Sequence, residues 1–104
     1  MVVLRPAILA DEAMLRAYDE RPTLGAVLHG LRAIARRSLK KTSADTGIQI
    51  TKLHHVEHDR ALIRIADFDK LIAYLEPRAN IPSLVNLARE LYRDARAKHI
   101  ERSL

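Results

Sequence analysis

An all-α fold is what this sequence predicts, on three observations. Aromatic residues fill only 4% of the 104 positions while apolar residues fill 48%, so the core must be built from Leu, Ile, Val and Ala, which suits helix packed on helix. Three glycines (Gly25, Gly30, Gly47) and four prolines (Pro6, Pro22, Pro77, Pro82) divide the chain into helical pieces with short connections. In most pieces the apolar residues recur at three- and four-residue spacing, the period of one helix face. A chain of this length is expected to fold as one domain around one core.

The first piece, Ala7 to Asp19, sets Ile8, Leu9, Leu15 and Tyr18 on an imperfect face and is closed by Pro22. Thr23 is a good N-cap for the next helix, where Leu24, Val27, Leu28, Leu31, Ile34 and Ala35 follow helical spacing to an end near Arg37. Ser38 caps a short helix that Gly47 ends, because a glycine takes the left-handed conformation without a Cβ penalty. A second short helix follows from about Gln49 to His58, with Leu53 and Val56 inward and Ile48 packing at its start. Ala66 to Leu75 reads as another helix, with Phe68, Leu71, Ile72 and Leu75 inward and Pro77 beyond its end. The last helix starts near Pro82 or Ser83 and runs to about Ile100, with an apolar stripe of Leu84, Leu87, Ala88, Leu91, Tyr92 and Ala95.

Several classes of function are disfavoured by composition. Without cysteine there are no disulfides and no thiolate zinc sites. No apolar run approaches membrane-spanning length. The first residues, MVVLRPAILADEAML, lack the pattern of a signal peptide, so the expected location is cytoplasmic. Ser38, Ser43 and Ser83 lie in no nucleophile motif, no glycine loop cradles phosphate, and no enzyme activity is expected. His54 and His58 stand four apart, but HHVEH is not the zinc-protease HExxH; neither metal nor cofactor is expected. The net charge of +5 favours an anionic partner, provided the charge is concentrated in one place.

That place is the segment SLKKTSADTGIQITKLHHVE. Two short helices joined by a tight turn cross steeply. This needs a small residue at the crossing (Ser43), a glycine at the turn (Gly47), and apolar residues that lock the second helix inward (Ile48, Leu53, Val56). Arg36, Arg37, Lys40 and Lys41 bracket the entry to the first of the two helices. Two lysines in a first turn oppose the helix dipole by a few tenths of a kcal/mol each. A bound phosphate would offset that cost.

In order and spacing, residues 23–76 resemble the Cro and lambda-repressor-like (XRE) helix-turn-helix family. TLGAVLHGLR resembles its first helix, SLKKTSADTG its second helix and turn, IQITKLHHVEH its recognition helix with the usual glutamate at Glu57, and DFDKLIAYL its fourth. The chain departs from the pattern at several positions. Leu39 stands for a phosphate-binding glutamine, Thr42 and Ser43 for a Leu-Ala pair, Asp59 for a glycine and Ile63 for a proline. The resemblance implies a lambda-repressor-like bundle, an N-terminal helical extension (1–22) and a C-terminal helix (77–104).

It also implies double-stranded DNA as partner, with the second short helix in the major groove. Gln49, Ile50, Thr51, His54 and His55 would then face base edges: Gln pairs with adenine, Thr and Ile meet thymine methyls, and His donates to guanine. Arg36, Arg37, Lys40 and Lys41, with Lys52, Arg60 and Arg64, would face phosphates. Such readers commonly bind as pairs, and Leu87, Leu91 and Tyr92 are the expected homodimer surface. The expected function is a transcriptional repressor. The alternative is an antitoxin-like module that binds a partner protein (a toxin) and represses its own promoter.

Overall fold

In the computed structural model, residues 22–103 are described, with side chains through 100; the expected helix at Ala7 to Asp19 and the 1–22 extension fall outside that range, except Pro22. Five helices and no strand occur among the described residues: α1 (Leu24–Ile34), α2 (Leu39–Thr46), α3 (Ile50–Glu57), α4 (Ile65–Ala79) and α5 (Pro82–Ser103). The all-α expectation holds. None of these helices is long and apolar enough to cross a membrane.

The helix ends follow the capping residues. The extended Thr23 accepts from the Ala26 amide at 3.1 Å, and Ser38 accepts from the Lys41 amide at 3.0 Å. Gly47 sits at φ 79° and donates its amide to the Ser43 carbonyl, closing α2. Helices α1 and α3 end differently. Arg36 (φ 55°) and Asp59 (φ 58°) take the left-handed conformation without being glycine. In each case the residue bonds back three positions and its successor five: Arg36 to Ala33 and Arg37 to Arg32, then Asp59 to Val56 and Arg60 to His55. Both are Schellman closures.

One core joins all five helices. Leu28, Leu31, Leu53, Ile63, Leu75 and Val85 are at most 1% exposed. Helix α1 packs against α3, α4 and α5, while α2 rests on α3 and α4. The predicted stripes of α1, α3 and α4 face inward, except that Ile34 in the last turn of α1 is 44% exposed.

Three expectations are corrected. Pro77 lies inside α4 rather than beyond it. The inward stripe Phe68, Leu71, Ile72, Leu75 continues at i+4 to the buried Ala79, and Asn80 (φ 55°) closes the helix after it. The carbonyl that the proline leaves without a donor belongs to Ala73, an exposed residue whose backbone water can serve. The boundary at 77 therefore falls within a helix. In α5, Val85, absent from the predicted stripe, is fully buried. Tyr92, expected at a dimer surface, is 3% exposed. Its ring stacks on Phe68 at 4.2 Å and its hydroxyl donates to the Ile63 carbonyl at 2.9 Å, so it belongs to the core. Leu87 and Leu91 are half-buried against the same core.

Candidate nucleic-acid interface

The outward face of α3 is set by its inward one. Leu53 and Val56 are locked in the core with Ile48 at the start of the helix, which turns Ile50, Thr51, His54, His55 and His58 outward. Gln49 holds the N-cap position but makes no capping bond with its side chain, so its amide is available. Ile50 is 44% exposed, so its side chain is open to contact. All five residues expected to face base edges thus share an exposed surface at and along α3.

The polar turn replaces apolar packing with hydrogen bonds. Ser43 donates to the Ile48 carbonyl; Thr46 donates to the Thr42 carbonyl at 2.7 Å and accepts from the Ile48 amide at 3.3 Å. Ser43, which departs from the family's Leu-Ala pair, and Thr46 therefore hold the α2–α3 turn. Thr42 is the exception: it is fully buried and its hydroxyl has no partner.

Orientation of α3 comes from two links to α1. Glu57 receives Arg32 Nε at 2.7 Å and Nη2 at 2.9 Å, a two-pronged pair with side chains 5% and 14% exposed. His29 Nδ1 donates to the same carboxylate at 2.9 Å. Arg32 Nη2 also stands 3.2 Å from that nitrogen, but a nitrogen already donating cannot accept, so the approach is no bond. Burial pushes the Glu57 carboxyl up, and the Arg32 and His29 bonds with their charges outweigh it, leaving the group below its ordinary value. The Glu57 bond correspondingly raises Arg32. The second link is Asp59, whose Oδ1 accepts from the Gly25 amide at 2.9 Å and so caps the start of α1. Neither Arg32 nor Asp59 was expected to position the site.

Helix α2 is tied to α4. Tyr74 donates to Asp45 Oδ2, Arg78 lies 4.1 Å above the Tyr74 ring, and Lys41 stands 3.3 Å from the same carboxylate. The Tyr74 bond, helped by Lys41, holds the Asp45 carboxyl below its ordinary range.

These ties sort the basic residues. Lys52 pairs with Asp67 at 3.4 Å and Lys41 with Asp45, so both are engaged within the chain. Arg37 is half-buried, with its Nε enclosed and unpartnered. Arg36, Lys40, Arg60 and Arg64 are exposed and have no side-chain partner among the described residues. Arg36 precedes the α2–α3 unit in the chain, Lys40 lies in the first turn of α2, and Arg60 and Arg64 follow α3. The carboxylates nearest that unit in sequence (Asp45, Glu57, Asp59, Asp67) are all engaged. The outward face of α3 consequently carries no free acid, and exposed cations flank it in the chain.

No group of three or more His, Cys, Asp or Glu close enough to hold a metal occurs among the described residues. No protein-family model, curated protein or solved structure matches this chain.

Proposed function

We propose that the protein is a sequence-specific regulator of double-stranded DNA, acting by binding rather than catalysis, with α3 as its major-groove reader in a lambda-repressor-like arrangement. The observation that carries the reading is the outer face of α3. Gln49, Ile50, Thr51, His54 and His55 are all exposed, Asp45, Glu57, Asp59 and Asp67 are engaged within the chain, and Arg36, Lys40, Arg60 and Arg64 remain open to phosphate. A phosphate backbone repels surface carboxylates and binds flanking cations, while base edges are read by short polar and apolar groups. The Arg32–Glu57 pair supports it further, by fixing the angle of the proposed reader against α1.

The regulator works as a homodimer on two half-sites, in a cytoplasmic setting. Of the surface expected to hold the partner copy, Leu87 and Leu91 stay in the proposal and Tyr92 leaves it. Selection of bound duplexes from a random pool tests the function. A palindromic consensus with half-sites about one helical turn apart is the expected result. Recovery of no preferred sequence at any salt concentration overturns it.

A further inference from the structure

We propose that His54 and His58 form a two-imidazole site for a borderline divalent transition metal on the outer face of α3. The two residues stand four apart on the helix and both are exposed. Their rings lie 4.3 Å apart between centroids, tilted by 41°. His58 Nδ1 is 2.9 Å from the His54 backbone carbonyl. A carbonyl only accepts, so Nδ1 carries the hydrogen, and in the neutral ring Nε2 keeps a free lone pair. Metal-binding imidazoles are commonly oriented this way, one nitrogen held by a carbonyl and the other turned to the ion.

The geometry is within reach of chelation. Two nitrogens at about 2.0–2.1 Å from one ion stand roughly 3.3 Å apart on a tetrahedral ion and roughly 2.9 Å apart at neighbouring corners of a square-planar one, separations that modest rotation of two solvent-exposed rings can supply. No third side chain completes the site among the described residues, so water fills the remaining positions and the affinity is moderate. Imidazole donors select the ion: Cu2+ binds more tightly than Ni2+ or Zn2+, and oxygen-seeking Mg2+ does not bind. His55, with its ring 6.1 Å from that of His54, stands apart from the close pair and serves as the internal control.

The metal site does not depend on DNA binding. His54 is itself among the proposed base-facing residues, so metal and duplex compete where the proposed function holds. The test is calorimetric titration of the full chain with Cu2+, Ni2+, Zn2+ and Mg2+ in turn, without DNA, with electron paramagnetic resonance of the Cu2+ form to detect nitrogen ligands. One ion per chain is expected, with Cu2+ tightest and no Mg2+ heat. Binding weakens at least tenfold in His54→Gln and in His58→Gln and stays within twofold in His55→Gln. All three positions are exposed, so circular dichroism is expected to show unchanged folding. Absence of Cu2+ binding, binding retained in His58→Gln, or equal loss in His55→Gln overturns the site. Because no DNA is present, either proposal can fail without the other.

Discussion

Glu57, at the end of α3, accepts two hydrogen bonds from Arg32 of α1, at 2.7 and 2.9 Å, with 5% of its side chain exposed. Substituting Glu57→Gln leaves a largely buried guanidinium facing a neutral group and is expected to cost about 3 kcal/mol in urea unfolding at neutral pH. The pH dependence has a definite sign. The folded carboxyl lies below its ordinary value of 4.5. Its contribution is therefore complete above that value and is lost as pH falls through the lower folded one. Wild-type stability should fall on acidification below about pH 5, and Glu57→Gln should flatten that fall. Parallel stability–pH curves for the two proteins would contradict the assignment.

Gly25 and Gly30 occupy the same helix and should respond oppositely to alanine. A Cβ on Gly25 would meet the Glu57 and Val56 carbonyls at 2.6 Å, backbone atoms at the end of α3 that cannot give way cheaply. Around Gly30 nothing lies within 4 Å. Gly25→Ala is expected to destabilise by about 3 kcal/mol or more, through overpacking. Gly30→Ala should stabilise by about 0.5–1 kcal/mol, by restricting the unfolded chain and favouring helix. Thermal and urea unfolding of both variants checks the contrast.

Thr42 buries a hydroxyl without a partner beneath the α2–α3 turn. Valine has the same shape and no polar atom to desolvate. Thr42→Val is expected to stabilise by about 1 kcal/mol, read as a higher urea midpoint at unchanged slope. A loss of stability would mean that the hydroxyl is satisfied in solution.

Arg36 holds a left-handed conformation at φ 55° that an arginine adopts only at a cost. Arg36→Gly should stabilise the fold by about 0.5–1 kcal/mol, the relief of strain being partly offset by glycine's entropy. If the guanidinium meets phosphate, the same variant binds all duplexes more weakly and lowers the salt slope by about one. Unchanged salt dependence would remove Arg36 from the proposed phosphate set.

What could be read from the sequence was local. Thr23, Ser38 and Gly47 act within three or four residues of themselves, so the start of α1 and both ends of α2 were legible, whereas α1 ends at Ile34, short of the expected Arg37. The stripes Val27, Leu28, Leu31 and Phe68, Leu71, Ile72, Leu75 were legible for the same reason. What escaped depends on which helices meet. Lys52 reads as a free cation until α4 brings Asp67 beside it. Tyr92 reads as a surface anchor until Phe68 and the Ile63 carbonyl enclose it. Arg32 and Asp59 act across 25 and 34 residues of chain, beyond any local pattern. Pro77 reads as lying beyond a helix until the continued burial at Ala79 carries α4 past it. The five expected base-facing residues were exposed because Leu53 and Val56, read correctly as inward, fix the rest of α3 by helical geometry.

The central claim is that the exposed face of α3 reads DNA sequence. It is tested most directly by comparing the wild-type chain with Gln49→Ala/Thr51→Ala. Affinity is measured on the best selected duplex and on a scrambled one, at two salt concentrations. Each lost base contact should cost about 1–3 kcal/mol on the selected duplex, with binding to the scrambled duplex and the salt slope unchanged. Equal affinity of both proteins for the selected duplex, with the fold intact, would contradict the account.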